Sequence, residues 1–137
     1  MRRPGRWLGA AFSVLAGALA APLLLRVAWS WPHRVAVAGH SMEPTLLDGD
    51  WLLVDPEAYL LRSPRPGELV VAHDSRAPAR VIVKRVALVD SDEALQVAGD
   101  HPAHAPDIES VGGLLPSAVI GRPWFRYWPP GRIGPIS

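Results

Sequence analysis

Residues 7–25 carry no charge and are almost entirely Ala, Leu, Val, Gly and Phe, whereas the chain beyond residue 30 breaks into short apolar runs separated by turn residues. The first pattern has the length of a membrane span, ~20 residues. Arg2, Arg3 and Arg6 precede it, and the positive-inside bias then predicts a cytoplasmic N-terminus with the remainder facing outward, against the weaker pull of Arg26 and Arg34 on the far side. An uncleaved anchor is expected, because apolar character continues through Leu23, Leu24 and Leu25 and is followed by Trp29 and Trp31 as an interfacial belt. The rival is a signal peptide, for which Ala18-Leu19-Ala20 supplies a small-x-small cleavage pattern.

Beyond the anchor, few windows reach the length or 3.6-residue period of a helix, and fifteen prolines and twelve glycines across the chain supply the punctuation. The patterning predicts a mainly β domain with strands over Arg34–Ala38, Trp51–Val54, Leu69–Ala72, Val81–Val89, Ala94–Ala98 and Val119–Trp124. The expected division is residues 1–29 as cytoplasmic tip and anchor and 30–137 as an extracytoplasmic β-rich domain.

Composition narrows the chemistry. From Ser30 onward ten basic residues face thirteen acidic ones, which gives no electrostatic footprint for nucleic acid. The absence of cysteine excludes thiol catalysis, disulfides and thiolate metal sites. Among fourteen basic residues Lys84 is the only lysine, and it stands in the apolar run Val81-Ile82-Val83-Lys84-Arg85-Val86. Guanidinium stays protonated in a protein, but a desolvated ammonium can lose its proton and act as a base. Period-2 alternation puts Ile82, Lys84 and Val86 on one face. Moving a lysine pKa from ~10.4 toward ~7.5 takes about 4 kcal/mol, within what burial supplies. Forty-three residues earlier, Gly39-His40-Ser41-Met42-Glu43-Pro44-Thr45 offers a hydroxyl beside turn-forming residues, so Ser41 and Lys84 together suggest a nucleophile and its base. Each alone has a plain structural reading. Lys84 is then a snorkelling or ion-paired strand residue, with Asp90 or Asp100 as partner, and Ser41 a turn residue.

The combination resembles the type I signal peptidase family, serine proteases with a Ser/Lys dyad. Ser41-Met42-Glu43-Pro44-Thr45-Leu46 is similar to the family's nucleophile block, and Asp48-Gly49-Asp50-Trp51-Leu52-Leu53-Val54 to the strand after it. Arg65-Pro66-Gly67-Glu68-Leu69-Val70-Val71, Val83-Lys84-Arg85-Val86 and Gly99-Asp100 with Ile120-Gly121-Arg122 follow in the family's order. The resemblance implies a signal-peptidase-like β catalytic domain behind a single N-terminal transmembrane helix. It implies Ser41 as nucleophile, Lys84 as general base, and an oxyanion held partly by the Ser41 N–H, with Gly39 where some members place a hydroxyl donor. Gly39, His40 and Met42 are expected to border the oxyanion and substrate site, and Val35–Gly39 to offer an edge for a substrate strand. Arg85, Asp100 and Asp107 are expected in support, Asp107 pairing with Arg85.

Where many members have a serine that steadies the lysine amine this chain has Ala105, and Glu109 replaces an arginine that usually pairs with the aspartate. Only fourteen residues separate Lys84 from Gly99, so the large cap of some bacterial members has no room. Compact relatives of this kind include organelle inner-membrane peptidases and proteases that mature nickel superoxide dismutase. The aromatic ending Pro123-Trp124-Phe125-Arg126-Tyr127-Trp128 fits such forms, its rings serving either the core or the bilayer surface.

The expected function is removal of signal peptides from exported precursors at the outer face of the cytoplasmic membrane, with precursor proteins and lipid as partners and no cofactor. The alternatives are a maturation protease dedicated to a few precursors, or an inactive membrane-anchored binding module of the same fold. A metal at His101 and His104 with Asp100 and Asp107 rests on ligand types alone. A triad of Ser41, His73 and Asp74 is disfavoured because neighbouring strand residues point apart. A self-cleaving repressor would need a DNA-binding segment in place of the anchor.

Overall fold

The computed structural model describes residues 20–31, 33–104 and 113–137. The greater part of the apolar N-terminal stretch, and Ala105, Asp107 and Glu109, lie outside them. Residues 20–30 form a helix. No helix among the described residues is long and apolar enough to cross a membrane.

Seven antiparallel strands follow: β1 (Arg34–Ala36), β2 (Trp51–Asp55), β3 (Leu69–His73), β4 (Val81–Val89), β5 (Leu95–Ala98), β6 (Val119–Trp128) and β7 (Gly134–Pro135). The mainly β expectation holds, with six strands where patterning put them. β6 runs on through Tyr127 and Trp128, and the two-residue β7 carries no alternation from which to predict it.

The sheet order is β1-β2-β6-β3-β4-β5, with β7 on β6. Strand β6 joins its two halves: residues from Arg122 to Trp128 pair with β2, while Val119 and Gly121 pair with β3. Gly121 is required at this junction, since a Cβ there would collide with the Asp55 carbonyl.

β3 explains why its sequence is continuously apolar. Four of its five residues are buried, and their alternation feeds two cores. Val70 and Ala72 pack with Val86, Leu95, Val97 and Leu114. Leu69 packs on the other side with Val37, Met42, Leu46 and Leu52, against which Val83 and Ile136 lean. That second core anchors the turn carrying Ser41, because Met42 and Leu46 are its buried plugs.

The helix docks through its C-terminal end. Trp124 Nε1 donates to the buried Ser30 hydroxyl at 3.1 Å, and the Arg26 guanidinium lies 4.3 Å from the Trp124 ring centre and 3.5 Å from Asp55 Oδ2. Trp31 stacks on Tyr127 at 5.4 Å. Of the terminal aromatics, Trp124 and Tyr127 are half-buried in these contacts, whereas Trp128, like Trp29, Trp31 and Trp51 earlier in the chain, is exposed.

Candidate active site

Ser41 and Lys84, far apart in sequence, line one pocket together with Val35–Met42 on one wall and Arg80–Lys84 on the other. The topology explains why this pocket is open. β1 is the outermost strand of its half of the sheet. β4 pairs with β3 along its first residues, but its register with β5 begins only at Arg85 opposite Ala98. Two strand edges therefore face the pocket without a strand between them among the described residues. An extended peptide laid there meets backbone donors and acceptors on both sides.

Lys84 is half-buried and sits opposite the fully buried Val70. Ile82 and Val86, its neighbours on the same face, are also buried. The apolar surroundings expected from alternation are thus present, and such surroundings disfavour the charged form of an amine.

The turn bearing Ser41 is held from three sides. Gly99 lies against the Ser41 backbone so closely that a Cβ would collide with the Ser41 carbonyl. The same carbonyl accepts the His101 N–H at 3.0 Å. Thr45 Oγ1 donates to Asp100 Oδ2 at 2.6 Å, and Arg85 grips both carboxylate oxygens of Asp100 at 2.8 Å while donating to Gly67 O at 2.6 Å. Burial pushes the Asp100 pKa up, but the hydrogen bonds from Arg85 and Thr45, with the Arg85 charge, outweigh it and hold the carboxyl below its ordinary value. The bond to Asp100 correspondingly raises Arg85. Arg85 was expected to pair with Asp107, which is outside the described residues; the carboxylate it grips among the described ones is Asp100.

From below, Asp50 is 1% exposed and meets Arg126 at 3.0 Å and Arg132 at 3.4 Å. Arg126 Nη1 also donates to the Thr45 carbonyl at 3.2 Å, and Asp50 Oδ2 accepts the Leu47 N–H at 2.9 Å. These clamps come from β6 and the short 3-10 helix Pro130–Arg132 after it, both distant in sequence, so neither Arg126 nor Arg132 was readable as part of the site.

Gly39 has φ +91°, and its N–H donates to Asp48 Oδ1 at 2.8 Å. The glycine is a backbone requirement of the turn, since nothing lies within 4 Å of an added Cβ and only the left-handed conformation penalises a side chain. His40 is exposed and pairs with Glu43 at 2.7 Å, a bond that raises the His40 pKa above its usual 6.5. Of the Ser41, His73 and Asp74 triad, Ser41 and Asp74 border the pocket, whereas His73 is not among its lining residues and its Nδ1 meets the Pro78 carbonyl at 2.8 Å. His101 Nδ1 accepts the Ala103 N–H at 3.1 Å. No group of three or more potential metal ligands occurs among the described residues.

The sequence profile of the signal peptidases, peptidase S26, matches residues 6–101, well over half of the chain, and the protein belongs to that family. A relative from Xenopus tropicalis, mitochondrial inner membrane protease subunit 1, is 27% identical, the match covering 75% of this chain and 73% of the relative. Family membership and this protease-subunit relative support peptidase activity in general terms.

Proposed function

We propose that the protein is a membrane-bound serine endopeptidase that removes signal peptides from exported precursors through Ser41 and Lys84. The observation that carries the reading is their shared position in a pocket walled by two open strand edges. An extended precursor segment adds between those edges. The neutral Lys84 amine takes the proton of Ser41 Oγ as that oxygen attacks the scissile carbonyl, and returns it to the leaving amine. The Ser41 N–H serves the oxyanion, on a turn that Gly99, Thr45 and Asp100 keep rigid. His40 and Met42 border the substrate position, and Asp107 remains a supporting candidate.

The apolar residues 7–25 act as an uncleaved anchor, with the N-terminus inside and residues 30–137 on the outer face. In support, Arg26 and Ser30 tie the end of the helix directly to β6 and β2, so a span and the protease domain are joined without a linker.

The test is cleavage of a precursor bearing an Ala-x-Ala junction by the full-length protein, with Ser41→Ala and Lys84→Arg beside it. Both variants are expected to lose all cleavage with unchanged folding, and wild-type activity should rise with pH as the amine deprotonates. Retained activity in Ser41→Ala removes it as nucleophile, and retained activity in Lys84→Arg removes the dyad, because a guanidinium keeps the charge but supplies no base. An inactive wild type that still binds the precursor favours the binding-module alternative.

A further inference from the structure

The far wall of the Ser41 pocket is the turn from β3 to β4, which contributes Asp74, Arg76 and Arg80. This turn is internally braced. Asp74 N–H donates to Arg80 O at 2.9 Å, Ala77 N–H to Asp74 O at 3.2 Å and Arg80 N–H to Ala77 O at 2.7 Å. Arg76 N–H donates to Asp74 Oδ1 at 3.0 Å. The Asp74 side chain is 12% exposed and occupied by the turn, whereas that of Arg80, 3.9 Å away, is 71% exposed. Arg76 is exposed as well. Two solvent-facing guanidiniums against one inward carboxylate leave this end of the pocket positive. At the Ser41 end His40 is paired with Glu43, and the Asp48 carboxylate accepts the Gly39 N–H.

We propose that Arg76 and Arg80 form a subsite selecting an acidic side chain about four residues N-terminal to the residue whose carbonyl is attacked. The inference rests on the Ser41 and Lys84 reading and specifies its substrates further. Arg80 precedes Lys84 by four positions, ~13 Å along an extended strand, and a peptide lying beside that strand spans the distance in the same number of residues. The N-terminal direction follows from leader removal, in which the recognised segment precedes the cut. Arginine suits the task, because its planar fork meets a carboxylate through two donors.

Measurement of kcat/KM for full-length protein on Ala-x-Ala precursors carrying Asp, Asn or Lys at that position tests the subsite. Asp is expected to exceed Lys by roughly fivefold at low salt, as for an exposed ion pair, and the ratio should shrink as salt is added. Arg76→Glu with Arg80→Glu should invert the order, and single Arg80→Gln, for which surface exposure makes misfolding no concern, should reduce it partway. Equal Asp-to-Lys ratios in wild type and these variants overturn the subsite while leaving the protease reading intact. Failure of the wild type to cleave any precursor sinks that reading, and the subsite with it.

Discussion

Two aspartates, Asp50 buried beneath the Ser41 turn and Asp74 on the pocket wall, each meet arginine, and their surroundings give them opposite roles. Asp50 is fully buried beneath the Ser41 turn and shares two guanidiniums that also reach the Thr45 carbonyl. Asp74 braces a surface turn, and its arginine extends into solvent. Attraction between buried charges is strong, but the charges were costly to desolvate, so neither partner can be lost cheaply. An exposed pair gains little and releases its arginine for a ligand at little cost. Burial therefore makes one ion pair a clamp on the Ser41 turn and leaves the arginine of the other open to solvent, as the proposed subsite requires.

The largest expected effect comes from breaking the clamp. Arg126→Ala leaves Asp50 with an incomplete partner set and should cost about 3–5 kcal/mol, read as a lowered urea midpoint, whereas Arg80→Ala should cost below ~1 kcal/mol. Equal losses in the two variants would abolish the distinction.

Glu68 sharpens the comparison as an intermediate case. Arg62 binds both of its oxygens at 2.8 Å, and this pairing, outweighing partial burial, lowers the Glu68 pKa to about 2. A carboxyl with a depressed folded-state pKa stabilises the fold above its unfolded value, and the benefit is lost as pH falls from there through about 2. After allowance for its partial exposure, the contribution is about 2 kcal/mol. Glu68→Gln should lower stability at neutral pH and flatten the decline between pH 4.5 and 2; an unchanged acid limb would show that Arg62 holds Glu68 no more firmly than a free surface pair.

A smaller loss than at either buried or half-buried carboxylate is expected at Gly39, where the constraint is backbone rather than charge. Gly39→Ala should cost about 1–2 kcal/mol from the positive φ alone, with a drop in kcat that exceeds the stability loss because Ser41 is two residues away. No change in either would show that the turn relaxes freely.

How far these features were legible depends on the distance over which each interaction acts. Alternation and turn residues located six strands, and the isolated lysine in an apolar run, with a serine between turn-formers, singled out Ser41 and Lys84 as the candidate pair that lines one pocket. These are local properties, since burial of a strand face requires a two-residue period whatever the strand packs against. That Arg85 grips Asp100 was not legible, because several carboxylates lie within reach in sequence and only the path from β5 into the following residues brings this one to Arg85; Asp107 lies outside the described residues.

What the chain alone determined, then, is the inventory: an uncharged N-terminal stretch, strands with defined faces, a serine turn, and a lysine whose neighbours on its face are apolar. What only the tertiary structure decided is adjacency. Strand β6 bends from one half of the sheet to the other, Gly99 admits the Ser41 turn, and β5 pairs no earlier than Arg85, leaving an edge open. Arg126, Arg76 and Arg80 acquire their roles from these contacts. Pairing register and long-range packing are many-body outcomes that a residue's own neighbours do not encode, so arginines that look alike in the sequence become clamp, brace and proposed subsite among the described residues.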